Sequence, residues 1–191
     1  MAGRSSRDLR PRLKVLAGLC GVMVLVHLLN MFSGGGLSSL GIRPRDPASL
    51  YAIATTPWIH GGLGHLGNNL VMLAALTGLC LLEGVAYFIR ASLIIIILSG
   101  LLLWLFGRDG VHIGASGWIF GLWSLTIVRA WFHRSYGNVL IAVAVVLLYG
   151  GLAWGLLPAG AGISFEGHIF GALAGVAAAW ALHRTMPRVG G

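Results

Sequence analysis

The chain has 191 residues, of which 57% are hydrophobic and only 9% charged, and its mean hydropathy is +0.87. Soluble domains carry about 25% charged residues, so this composition excludes a water-soluble globule and leaves lipid as the main solvent of one compact unit. The formal net charge of +8 would suit a nucleic-acid partner, but its distribution along the chain argues for a membrane instead.

Taken in order, residues 1–13 read as a basic cytoplasmic tail lying along anionic headgroups. The apolar stretches that follow cover about 14–33, 66–84, 88–106, 116–133, 139–157 and 168–183, each near the roughly 20 residues a helix needs to cross a bilayer. The expected fold is therefore all-α: a polytopic membrane protein with six transmembrane helices over 14–184, then a short cytoplasmic tail, 185–191. The first stretch lacks a small-residue cleavage site after it and is kept as a span rather than a signal peptide. A long outer segment, about 34–64, separates the first two spans, opens on Gly34-Gly35-Gly36 and carries Pro44, Pro47 and Pro57. Cys20 and Cys80 lie inside apolar stretches and read as small buried hydrophobes, not as a disulfide or metal ligands.

With both termini in the cytoplasm, the inner segments hold Arg4, Arg7, Arg10, Arg12, Lys14, Arg90, Arg129, Arg134, Arg184 and Arg188. The outer loops hold only Arg43, Arg45 and Arg108. That is the positive-inside pattern, and it sets the expected orientation in what reads as a bacterial cytoplasmic membrane. The lipid bilayer, not nucleic acid, is the expected partner.

Polar groups inside such a bundle are costly, so each is a functional candidate. His60, His65 and Asn69 cluster at the start of the second span, in HGGLGHLGNN. Ser116 opens the fourth in GASGWIFG, and His168 opens the sixth in EGHIFGALAG. Counting inward to Arg134, Arg184 and Glu83 places Ser116 about 27 Å, His168 about 24 Å and His65 about 27 Å from the inner boundary. In a hydrocarbon layer about 30 Å thick, all three lie just below the outer surface. Serine becomes a nucleophile when a base takes its proton, and histidine titrates near neutrality. Ser116 at a helix start sits beside free backbone N–H groups that suit an oxyanion. His65 and Asn69 are four residues apart, on one helix face, and both donate hydrogen bonds. Gly171, Ala172, Gly175 and Ala179 form a small-residue stripe on the last span, and Gly117 and Gly121 offer a matching face on the fourth.

Other polar residues read as structural. His27 and Asn30 are packed or capped groups of the first span, His112 a loop residue, and His133 and His183 cap inner helix ends. Glu166 reads as a solvated loop carboxylate rather than a third member orienting His168. The histidine spacing is not HExxH and has no carboxylate between its members, which disfavours a zinc protease. A haem or metal protein using His60, His65 and His168 is the rival class, a bis-histidine haem needing two rings that face across the bundle, and no metal or cofactor is expected.

These residues together resemble the rhomboid intramembrane serine proteases: His60-x4-His65-x3-Asn69 in the second span, Gly114-Ala115-Ser116-Gly117 in the fourth, and His168-x2-Gly171-x3-Gly175 in the sixth. The resemblance implies Ser116 as nucleophile and His168 as general base. It implies an oxyanion hole from His65, Asn69 and the Ser116 backbone N–H, with His60, Gly114, Gly117 and Phe120 supporting. It implies transmembrane protein substrates. The Trp-Arg pair common in the family's first outer loop is replaced here by Tyr51 and Ala52. The alternative is a catalytically silent rhomboid-like protein that binds membrane helices. Gly150, Gly151 and Gly155, with the glycine-rich loop after Pro158, are the expected gate for a substrate.

Overall fold

The computed structural model describes residues 9–158 and 163–183; the tails beyond, and Ala159–Gly162 of the last outer loop, lie outside it. Among the described residues seven α-helices run in chain order: α1 Arg10–Phe32, α2 Ala52–Thr55, α3 Leu63–Leu81, α4 Val85–Phe106, α5 Ser116–Phe132, α6 Tyr136–Tyr149 and α7 Phe165–Leu182. Among the described residues the sole β-type pairing is an isolated bridge between Ile42 and His112.

Among the described residues five segments are long and apolar enough to cross a membrane: α1, α3, α4, α6 with its 3-10 continuation to Leu156, and α7. At 17 residues α5 is shorter than each of these five segments. It is also the central one, packed against α3, α4, α6 and α7, and its length lies at the lower end of what spans a bilayer. The outward faces of α1 and α6 carry exposed Leu and Val, as expected where lipid is the solvent. The chain is an integral membrane protein.

Helix boundaries differ from the sequence reading in a consistent direction. The first helix starts at Arg10, with Pro11 in its first turn. Arginine and lysine are good helix formers, and proline is well placed at a helix start. A charge therefore marks where the lipid ends, not where the helix does. The second and sixth spans likewise start earlier, at Leu63 and Phe165.

The end of the bundle away from Ser116 is closed by a buried cation. Arg129, 2% exposed, meets Glu83 Oε1 at 3.2 Å and donates to Asn138 Oδ1 at 3.1 Å. The pair ties α5 to the turn after α3. At the opposite end the long first loop is fastened to the C-terminal end of α4. Arg45 donates to Gly107 O at 2.7 Å, Arg45 N to Trp104 O at 2.8 Å, and Trp104 Nε1 to Asp46 O at 2.9 Å.

Candidate active site

The close approach of α5 and α7 builds the site. A Cβ added at Gly171 would lie 2.1 Å from Gly117 O, and one at Gly175 would lie 2.0 Å from Gly121 O. The backbones therefore touch, and glycine is the residue that permits it. Ser124 Oγ adds a bond across the same seam, donating to Ala172 O at 2.7 Å. This contact brings the first turn of α5, with Ser116, beside the first turn of α7, with His168.

Ser116 is the first residue of α5, where backbone N–H groups have no intrahelical acceptor. The residues before it are held in place. Gly114 N donates to Thr56 O at 3.0 Å, and Gly114 has φ +113°, a conformation that L side chains rarely adopt. A Cβ there would also meet His65 Nε2 at 2.5 Å. Glycine at 114 is thus required twice, once by its backbone and once by the His65 ring against it.

His168 is fixed on two sides. Its ring stacks on Phe120 at 4.2 Å between centroids and 6° between planes. Its Nδ1 lies 2.8 Å from Gly155 O. A carbonyl can only accept, so Nδ1 carries the proton and Nε2 is left as the basic nitrogen. Nε2 has no hydrogen-bond partner among the described residues, and no hydrogen bond joins His168 to Ser116 Oγ in this conformation. Both residues line one cavity of about 990 Å³, together with His65, Asn69 and Phe120. Its rim is formed by residues 108–113 and by Ile163 and Ser164.

The remaining sequence candidates fall around this cavity. Asn69 is buried and donates one amide hydrogen to His65 O at 2.8 Å, leaving the other free for a ligand. His60 does not line the cavity. It is fully buried, its ring edge-on to His65 at 5.0 Å, and its carbonyl is held by His27 Nδ1 at 3.1 Å and by Asn30 Nδ2, which donates at 3.3 Å. His27 and Asn30 are structural, as their place in the first span suggests. Burial, helped by the neighbouring His65, pushes the His60 imidazole down to about 4. A second cavity of about 40 Å³ reaches Ser116 and Gly117 from behind, between Thr56, Pro57, Ser99 and Gly167.

One reading is corrected. Glu166 is not a solvated loop carboxylate: it lies in the first turn of α7, 8% exposed, paired with Arg108. The two are 58 residues apart in sequence, so no local pattern pointed to the pair. The carbonyl of Gly155 on His168 was equally hidden, since any residue supplies one; Gly155 stood out only as a glycine in an apolar run.

A serine at a helix start and an aromatic-stacked histidine thus line one cavity inside the helical bundle of an integral membrane protein. The chain matches the rhomboid domain family over residues 47–185, and it belongs to that family. Uncharacterized proteins of Mycobacterium bovis and Mycobacterium tuberculosis are each 38% identical over 170 residues, covering 84% of this chain and 71% of their own. One from Mycobacterium leprae is 34% identical over the same length, covering 67% of its own.

Proposed function

We propose that this chain is an intramembrane serine endopeptidase that cuts membrane proteins within or near their transmembrane segments. The observation that carries the reading is His168. Its Nδ1–H is held by the Gly155 carbonyl and its face by Phe120, so Nε2, without a partner among the described residues, belongs to a ring that lines the same cavity as Ser116. In this scheme Nε2 takes the Ser116 proton as Oγ attacks the peptide carbonyl. The Ser116 backbone N–H, the free Asn69 amide hydrogen and His65 then stabilise the oxyanion. His168 afterwards returns the proton to the leaving amine. The Ser116–His168 bond is one that substrate would draw in, since catalytic hydrogen bonds are often long without substrate and tighten on it.

The substrates are transmembrane proteins whose spans unwind near the outer surface, because a regular helix hides its carbonyls and unpaired backbone in lipid is costly. Both termini face the cytoplasm in this reading, on the arginine distribution. A second reading, a silent helix-binding protein, draws on that same missing bond. Labelling purified protein with a fluorophosphonate probe separates the two. Labelling that vanishes in Ser116→Ala supports the protease, and no labelling of the wild type refutes it.

A further inference from the structure

Glu166 sits two residues before His168, in the position where a third catalytic group would orient the base, yet its hydrogen bonds go elsewhere. His168 Nδ1 is taken by Gly155 O. The Glu166 carboxylate is instead gripped by both ends of the Arg108 guanidinium: Nε reaches Oε1, and Nη2 reaches Oε2 at 3.2 Å. Arg108 Nη2 also donates to Ile163 O at 3.0 Å, and the guanidinium lies 4.8 Å over the Phe165 ring. A second tie runs parallel. His112 Nδ1 lies 2.8 Å from Ser164 Oγ, and His112 Nε2 lies 2.9 Å from Arg108 O. Ser164 is the N-cap of α7, its Oγ accepting from Gly167 N at 3.4 Å.

The geometry points to a strap. Arg108 and His112 belong to the loop 107–115, which walls the outer side of the large cavity and whose last residues deliver Ser116. Glu166 and Ser164 belong to the first turn of α7, which delivers His168. The glycine contacts between α5 and α7 fix the helices from Gly117 inward and do not reach this loop. We propose that the Arg108–Glu166 pair, reinforced by His112–Ser164, is a positioning device. It holds the nucleophile loop against the base helix and sets the distance between Ser116 and His168. Glu166 is a positioning residue, not a catalytic one. The pairing is bidentate and one partner is buried, the situation in which geometry as well as charge matters.

This inference rests on the protease reading, and its test separates the two. Rates are measured on a model transmembrane substrate for Arg108→Gln, Glu166→Gln, the double variant and Arg108→Lys, with hydrogen exchange of segment 107–115 read on the same proteins. Arg108→Gln leaves a buried carboxylate unpaired and is expected to lower kcat at least tenfold, with KM within about twofold. Adding Glu166→Gln removes the stranded charge, so the double variant is expected to recover part of that loss. Arg108→Lys keeps the charge but not the fork and is expected to fall between wild type and Arg108→Gln. Exchange of 107–115 is expected to quicken in the single variants. Unchanged kcat in both single variants overturns the strap, and so does a double variant whose losses simply multiply. If the wild type neither cuts nor labels, the protease reading fails by itself. Exchange then decides the strap: unchanged protection of 107–115 in Arg108→Gln and Glu166→Gln overturns it.

Discussion

Replacing Gly171 by alanine tests the link between helix packing and the site most directly. The new Cβ would sit 2.1 Å from Gly117 O, whereas ordinary contact begins at 3.4 Å. Both atoms belong to helix backbones, so neither rotates away, and α5 and α7 must part by roughly 1 Å near the site. Overpacking of this kind costs about 1–3 kcal/mol. The effect on rate is expected to be larger than the effect on folding. His168 lies one turn from Gly171, Ser116 adjoins Gly117, and misplacing reacting groups by about 1 Å costs roughly 100-fold. The assay pairs thermal unfolding in detergent with the rate of cleavage of a model transmembrane substrate. Gly78→Ala serves as control, because nothing lies within 4 Å of a Cβ there, and it should gain a few tenths to about 1 kcal/mol in helix propensity. A Gly171→Ala variant that folds and cuts as well as the Gly78→Ala control would refute the argument.

Ser116→Ala and His168→Ala should each abolish cleavage and should together cost no more than either alone, because nucleophile and base act as one unit; normal turnover by either purified variant rules out the dyad. Asn69→Ala should lower kcat with little change in KM, by up to about 10²–10³-fold for a full oxyanion donor and by less here, since His65 and the Ser116 N–H share the role; an unchanged kcat removes Asn69 from the site. His60 titrates at about 4 in the fold against about 6.5 unfolded, so it is buried neutral and the unfolded chain binds the extra proton. Its contribution, at most ~3 kcal/mol, is present above pH ~6.5 and is lost as pH falls towards 4. Melting in detergent should therefore drop over that window and drop less in His60→Gln; a flat wild-type curve would count against burial of a neutral His60.

The sequence by itself determined the solvent, the all-α architecture and the placement of His65, Ser116 and His168 near the starts of their helices. Each follows from a one-dimensional quantity: mean hydropathy, the length of an apolar run, and a rise of about 1.5 Å per residue counted inward from a charge. The spacing Gly117, Gly121 against Gly171, Gly175 also carried the α5–α7 seam, because a small-residue stripe at helical period has few uses in lipid other than close packing. Helix starts were less legible, since hydropathy marks the edge of the membrane while the helix at Arg10 runs past it. Only the tertiary structure decided which groups hold the site. The partner of His168 Nδ1 is a backbone carbonyl, Gly155 O, which leaves no mark in a sequence. The partner of Glu166 is Arg108, 58 residues away, and their pairing depends on how the loop after α4 folds back over the start of α7. Read from its neighbours alone, Glu166 looked solvated. In three dimensions it is buried, because the loop that covers it comes from another part of the chain.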